Sequence, residues 1–327
     1  MPMGANSSMC DSKNNLDKEP KMIYTVTLNP SFDFISQTES LKTGQVNYAG
    51  EEKMSAGGHA IVISKLLKTM NVPTIATGFL GGKTGDFIEE ELNDLGITND
   101  FIRTKNTTRI NLSIFNGPIE TRIVGKGEDV AVEEVDQLLY YLARIREGDF
   151  LILAGSLPPN CTTDLYARMI ETAVVNGAQF LPILNESYIA PFLKFRPLLI
   201  TPTLEDLSSI FQAPVLNKED AARYGMQCIQ RGAQNVIINL ERNGSLLVTS
   251  KGEIYEINGP DRPIISATYT HMAYTAGFVG NYMRSNDPLE AFRWSQGCSN
   301  ATYYFKGLPD LDTIEKETEH ITSQRIG

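Results

Sequence analysis

Residues 133–178 read EEVDQLLYYLARIREGDFLILAGSLPPNCTTDLYARMIETAVVNGA, and their periodicity decides the fold class. Val135, Leu138, Leu139, Leu142 and Ile145 recur at the spacing of one helix face, which predicts a helix over 133–146. Phe150-Leu151-Ile152-Leu153 then runs without a polar break, as expected of a strand covered on both faces. A second helical pattern spans 163–175 and meets Gly177, a residue suited to the left-handed turn after a helix. Helix, apolar strand and helix in succession predict an α/β fold, a mostly parallel sheet wound with helices on both sides.

The same rhythm extends in both directions. Ile23 to Leu28 is β-rich and stops at Asn29-Pro30, while 64–69 has helical spacing after Gly57-Gly58. Short apolar strands are expected at 198–200 and 236–238, and helices at 204–211, 218–230 and 273–282. Phe292, Trp294, Tyr303 and Tyr304 fall at helical spacings and read as core. Two β-rich stretches, about 32–54 and 109–124, break the alternation, the second with a turn at Asn116-Gly117-Pro118. They are expected to form a small projecting sheet, a β-lid, on a main domain over 22–327. Residues 1–21 are polar and read as a mobile extension, without the basic-then-apolar pattern of a secretory signal.

Composition narrows the partners. Of 327 residues, 42% are hydrophobic and 21% charged, which is globular composition. With 39 Asp+Glu against 29 Lys+Arg the net charge is -10, which argues against a nucleic-acid backbone or an anionic membrane as partner. Small anions stay open, because a few placed cations suffice for them. Cys10, Cys161, Cys228 and Cys298 show no CxxC spacing and fit a reducing cytoplasm. The only histidines, His59, His271 and His320, are too few for a His-rich metal site, and no metal-ligating residues are assigned.

Thr25–Asp33 (TVTLNPSFD), Gly57-Gly58, Gly78–Phe87 (GFLGGKTGDF), Thr108–Asn111 and Gly155-Ser156-Leu157-Pro158 occur in an order and at intervals that carry a resemblance. Together they resemble the ribokinase-type (pfkB) carbohydrate kinases, in the branch containing 1-phosphofructokinase and tagatose-6-phosphate kinase. The resemblance runs from about Met22 to the C-terminus. It implies a ribokinase-like domain with a β-lid over the sugar-phosphate site, often used for dimerisation. It also implies ATP and magnesium, with transfer of the γ-phosphoryl group to a hydroxyl of a ketohexose phosphate. Such transfer needs a base, amide donors around the transferred group and cations on the polyphosphate.

On that template the sugar side is Asp33, Gly57, Gly58, His59, Arg109 and Asn111, with Gly155-Ser156 also retained. The chemical positions depart from it. The family's TVGAGDS reads Ala267-Thr268-Tyr269-Thr270-His271-Met272-Ala273, and Ala276-Gly277-Phe278 still follows at the family's distance. Met272 therefore stands at the base position, and a thioether accepts no proton from a hydroxyl. Tyr269, Thr270 and His271 stand at the anion-hole positions, with two glycines replaced. The GGKGxN motif reads Gly57-Gly58-His59-Ala60-Ile61-Val62, with His59 in place of a lysine. KPNxxE, associated with magnesium, reads Thr201-Pro202-Thr203-Leu204-Glu205-Asp206, and SxGxxG reads Asn239-Leu240-Glu241-Arg242-Asn243-Gly244. Glu241 thus brings a carboxylate to the nucleotide loop, of which Gly244 survives. The lid-side NGPGP becomes Val124-Gly125-Lys126-Gly127-Glu128.

Each residue also has a plainer reading. Asp33 suits a turn after Pro30, and His271, without an acidic neighbour in sequence, suits packing or solvation as well as base catalysis. Gly81, Gly82 and Gly85 suit a strand-to-helix turn. Two functional classes follow: an active sugar-phosphate kinase with atypical residues, or a pseudokinase that keeps the fold for ligand sensing or partner binding, with no catalytic residue intact. A cytoplasmic homodimer joined through the lids is expected in either case.

Overall fold

A computed structural model describes residues 21–184, 189–304 and 307–327, so the extension expected over 1–21 lies outside the described residues except for Lys21. Strand β1 (Ile23–Thr27) starts the main sheet, and the chain then leaves it for β2 (Ser31–Thr38) and β3 (Glu52–Gly57) of a separate sheet. It returns through α1 (His59–Thr69), β4 (Thr74–Leu80), α2 (Gly82–Asp94) and the two-residue strands β5 (Thr98–Asn99) and β6 (Ile102–Arg103). A second excursion makes β7 (Arg109–Asn116) and β8 (Ile119–Val124). The decisive stretch follows as α3 (Val132–Leu142), β9 (Phe150–Ala154), α4 (Thr163–Val175) and β10 (Gln179–Ile183).

Beyond a 3₁₀ turn at Ala190–Phe195 come α5 (Leu204–Phe211), α6 (Lys218–Gln230), β11 (Asn235–Asn239), β12 (Ser245–Thr249) and β13 (Ile254–Ile257). Helices α7 (Thr270–Ser285), α8 (Pro288–Tyr303) and α9 (Leu311–Glu319) and strand β14 (Ser323–Arg325) complete the chain.

The parallel order is β10-β9-β1-β4, with β5 and β6 both on β4. The apolar run of β9 is explained by its two faces. Leu151 and Leu153 enter one core cluster with Leu138, Leu165 and Met169, while Phe150 and Ile152 enter another with Ile63, Leu66 and Phe278. Burying a residue on each side of the sheet contributes roughly 1.5–3 kcal/mol per large side chain. The strand expected at 198–200 is reduced to a bridge, in which Leu198 N–H donates to Phe180 O (2.9 Å) and Ile200 N–H to Asn235 O (3.2 Å). That bridge joins the parallel sheet to β11. From β11 onward the order β11-β12-β13-β14 is antiparallel, an edge that the helix–strand alternation did not announce. Phe292, Tyr303 and Tyr304 are buried as expected, and Trp294 is half-buried.

The separate sheet has the order β3-β2-β7-β8, with β2 and β7 parallel and the outer pairs antiparallel. Residues 39–51, counted with the lid on composition, contain no strand and form its connecting loop. Register gives the lid two characters, because alternate residues face opposite sides. Gly57, Ser31 and Arg109 lie level, then Ser55, Asp33, Asn111 and Val124, then Lys53, Ile35, Ser113 and Arg122. The opposite face carries Phe32, Phe34, Met54, Ile110, Leu112, Ile114, Ile119 and Ile123. Its inner end rests on the main domain through the edge-to-face pair Phe32–Phe87 (4.8 Å between centroids). On the same face Met54, Ile110, Ile119 and Ile123 are more than half exposed.

Candidate functional site

Arg109 and Arg122 of the lid lie within electrostatic reach of His59, at the head of α1, and Asp33 within reach of Tyr269, ahead of α7; the space between these elements is the candidate cleft. Asp33 Oδ1 accepts hydrogen bonds from Ser31 Oγ (2.6 Å) and Asn111 Nδ2 (2.9 Å). Asn111 Nδ2 is also 2.9 Å from Ser31 Oγ, and its Oδ1 accepts from Gly125 N–H (3.2 Å). This network fixes the carboxylate across two strands, more than an isolated turn aspartate would require. It also explains Gly57. A Cβ there would sit 2.2 Å from Asp33 Oδ2 and 2.5 Å from Ser31 Oγ, so a larger residue would displace the carboxylate.

Arg109 Nη1 donates to Gly125 O (2.9 Å) and Nε to Pro30 O (3.4 Å). Burial pulls its pKa down and the nearby Asp33 carboxylate pushes it back up. His59 opens α1 directly after Gly58, which has φ 127°. Part of the His59 ring meets water, yet the protein gathered around it, then the neighbouring His271, Arg109 and Arg122, hold its pKa below the ordinary imidazole value. It is therefore mostly neutral at pH 7. Arg122, on β8, is a member of this cluster that the motifs did not reveal. No pattern in residues 119–124 singles it out, because Glu120, Thr121 and Arg122 run together between apolar residues.

Beneath the lid's inner end lies a partly buried ion pair. Lys65 Nζ, on α1, meets Glu91 Oε1, on α2, at 2.5 Å and also donates to Ala56 O (3.0 Å). Glu91 Oε2 in turn accepts from Ala56 N–H (2.6 Å), so the pair grips both backbone groups of Ala56, in β3 beside Gly57.

The positions that the resemblance assigns to the base and the anion hole lie at the head of α7. Met272 is only 6% exposed and belongs to the core cluster with Ile63, Leu66 and Phe278. Tyr269 precedes the helix with φ -107° and ψ 5°, a conformation open to any L-residue, and no residue of 267–272 has positive φ. The backbone of this turn therefore takes no conformation that requires glycine. Thr270 Oγ1 donates to Ala267 O (3.0 Å). Burial, then the proximity of Asp33 and Glu91, raises the Tyr269 pKa, so its phenol is neutral. Ala276-Gly277-Phe278 persists for a packing reason: a Cβ on Gly277 would lie 2.5 Å from Trp294 O on α8.

The segment that the resemblance assigns to the nucleotide behaves differently: Glu241 has φ 55°, a left-handed conformation that glycine adopts freely. Gly244 keeps φ 94°, and a Cβ there would meet Ile257 O at 2.0 Å. Glu241→Gly is accordingly expected to stabilise the fold by about 0.5–1 kcal/mol, since a left-handed non-glycine residue costs about 1–2 kcal/mol and glycine's extra chain entropy returns part of it. Urea midpoints of the two proteins check this, and a lower midpoint for the variant would contradict it.

The residues at the magnesium-associated motif do not fit a metal. Thr203 caps α5 by accepting from Asp206 N–H (3.0 Å), and Asp206 Oδ2 accepts from Thr203 N–H (2.7 Å). This reciprocal cap engages both surviving polar groups. Among the described residues no group of three or more His, Cys, Asp or Glu side chains is arranged to hold a metal ion.

Comparison with known proteins gives this arrangement its family. A model described as pfkB family carbohydrate kinase matches residues 26–307. The chain is 29% identical over 305 residues to 1-phosphofructokinase of Bacillus subtilis (strain 168), covering 93% of this chain and 100% of that one. It is 29% identical over 301 residues to D-tagatose-1-phosphate kinase of Bacillus licheniformis, covering 92% and 98%. Its fold matches that of phosphofructokinase-2 from Escherichia coli in complex with fructose-6-phosphate at TM-score 0.86 with 21% identity, over 92% of this chain and 99% of that one. The chain belongs to the pfkB family of carbohydrate kinases.

Proposed function

We propose that this protein is a pseudokinase of the phosphofructokinase and tagatose-phosphate kinase type, which binds a ketohexose phosphate beneath its lid without transferring phosphate to it. The observation that carries this reading is Met272, buried in the core at the base position and flanked by the side chains of Tyr269 and His271. The sugar side supports the binding half, because the Asp33–Ser31–Asn111 network is intact and Arg109 stands beside it. The nucleotide half is weakened by Glu241, whose charge has the wrong sign for a polyphosphate, and by the self-capped Asp206.

Thermal-shift titration with fructose 1-phosphate, fructose 6-phosphate and tagatose 6-phosphate, and separately with ATP with and without magnesium, tests this reading. Stabilisation by a sugar phosphate and not by ATP is expected. Equal stabilisation by ATP and magnesium would overturn it in favour of an active enzyme, with His271, which neighbours His59 in the cleft, as the base.

The protein is further proposed to be a homodimer whose lids meet through their apolar faces. Met54, Ile110, Ile119 and Ile123 are exposed on one side of a sheet and suit a second copy of the same surface. Ile123→Arg is expected to shift the protein from dimer to monomer at micromolar concentration, read by light scattering with the wild type alongside. A monomeric wild type would rule the interface out. A cytoplasmic setting agrees with the free thiols Cys161, Cys228 and Cys298, and among the described residues no helix is long and apolar enough to cross a membrane.

A further inference from the structure

We infer that Asn29 is a positioning residue of the candidate site: its side-chain amide ties the chain leaving the lid to the core beneath, and through that tie sets Asn111 and Asp33. The role rests on the reading of the cleft as a sugar-phosphate site and adds to it a residue that acts through others.

Asn29 is half-buried between β1 and β2, where the chain first enters the lid. Its Nδ2 donates to Lys126 O (3.2 Å), on the segment by which the chain leaves β8 for α3. The same nitrogen donates to Leu157 O (3.2 Å) and to Ser156 Oγ (3.4 Å), in the loop after β9. That loop is held by the core. Tyr166, on α4 and 1% exposed, donates its hydroxyl to Gly155 O (2.8 Å), and Gly155 N–H donates to Ile183 O of β10 (3.3 Å). One amide therefore joins the way into the lid, the way out of it and the main sheet. The exit segment is fitted to that amide by a glycine: Gly127 has φ 89°, and a Cβ on it would lie 2.4 Å from Asn29 Oδ1 and 3.0 Å from both Cγ and Nδ2.

The tie reaches the site one residue before Lys126. Gly125 O accepts from Arg109 Nη1 (2.9 Å), and Gly125 N–H is shared between Ile110 O (3.1 Å) and Asn111 Oδ1 (3.2 Å). The last of these contacts decides which way the Asn111 amide points. With Oδ1 turned to Gly125, Nδ2 faces Asp33 Oδ1 and Ser31 Oγ, each at 2.9 Å. Freed from Gly125, the amide could turn over and set its oxygen against the Asp33 carboxylate, which only accepts hydrogen bonds. The backbone pairing of β2 with β7 does not pass through Asn29, so the lid remains a sheet without it. What is lost is the setting of the polar groups on that sheet.

Asn29→Leu keeps the branching of the side chain and removes its donor without adding charge, so it separates the hydrogen bonds from the packing. Isothermal titration calorimetry with fructose 1-phosphate, fructose 6-phosphate and tagatose 6-phosphate, on proteins whose urea curves show them folded, is the measurement. The sugar phosphate that binds the wild type is expected to bind Asn29→Leu about tenfold more weakly, the worth of one or two hydrogen bonds. A residue that served the fold alone would lower the urea midpoint and leave the dissociation constant unchanged. Asn29→Ala, Gly127→Ala and the two combined complete a cycle, which carries the test if Asn29→Leu does not fold. The combined loss in affinity should be smaller than the product of the single losses, because the added methyl no longer meets the amide. Affinity of Asn29→Leu within about twofold of the wild type would overturn the role and leave the ligand reading standing. Single losses that simply multiply would overturn it equally. A wild type that binds none of the three sugar phosphates would instead remove the ligand reading, and the role of Asn29 with it.

Discussion

Wild-type protein supplied with ATP, magnesium and a ketohexose phosphate is expected to leave the nucleotide intact, and Met272→Asp alone is expected to leave it intact as well. The single reversion fails for two reasons. Met272 fills space among core residues, where a carboxylate loses hydration, and Tyr269 and His271 still occupy the turn that should present bare amides. A general base contributes about 10²–10⁴-fold and a single anion-hole donor about 10²–10³-fold, but a base acts only on a phosphoryl group already held in line. The combined reversion Tyr269→Gly/His271→Gly/Met272→Asp/Glu241→Gly is the smallest set expected to give detectable transfer, because the contributions are conditional on one another. Nucleotide consumption coupled to sugar bisphosphate formation is the measurement. Wild-type turnover on the order of 1 s⁻¹, as for ordinary kinases, would refute the pseudokinase reading. Activity gained from Met272→Asp alone would show that the turn still functions.

Lys65→Met is expected to destabilise the protein by about 3–5 kcal/mol, because it leaves the Glu91 carboxylate charged beside Ala56 with no cation. Lys65 is 9% exposed and Glu91 24%, so water can soften the loss only from the Glu91 side. Lys65→Met/Glu91→Leu should recover much of this, since removing both charges also removes the unpaired one. The pair grips Ala56, next to Gly57, so the single variant should also weaken sugar-phosphate binding through displacement of the lid's base. Urea unfolding and ligand titration read the two effects. A loss below about 1 kcal/mol would place Lys65 with ordinary surface pairs.

How much of this was legible in the sequence depended on which interaction each residue serves. The β9 region was readable because a strand covered on both faces must be apolar throughout, and Phe150–Ala154 obeys that rule. The strand at 198–200 was over-read: three apolar residues were enough for the pattern, but they make only a bridge between β10 and β11. The sheet β11-β12-β13-β14 was under-read because its strands are only 3–5 residues long and interrupted by turns. Among the positions named from motifs, Asp33, Gly57 and Asn111 are in contact, and Arg109 lies within electrostatic reach of His59. Arg122 and the Lys65–Glu91 pair were missed, since each depends on contacts between elements distant in sequence. The sequence of the two loops did not reveal their backbone: Glu241 takes a left-handed conformation and Tyr269 does not.

The lid's alternation has a consequence for how its length can change. Asp33 and Asn111 share a face with Ser31 and Arg109 only because each stands two positions further along its strand. Deleting one residue from β7 ahead of Asn111 would carry Ile110 and Leu112 inward and turn the ligand-facing groups outward, without altering any side chain. Deleting two would shift the strand by one repeat and restore the sidedness. Drift in this sheet is therefore constrained by parity: substitutions can accumulate singly, whereas gains and losses of length within a strand are tolerated in pairs or at the Gly117-Pro118 turn, where the count starts afresh.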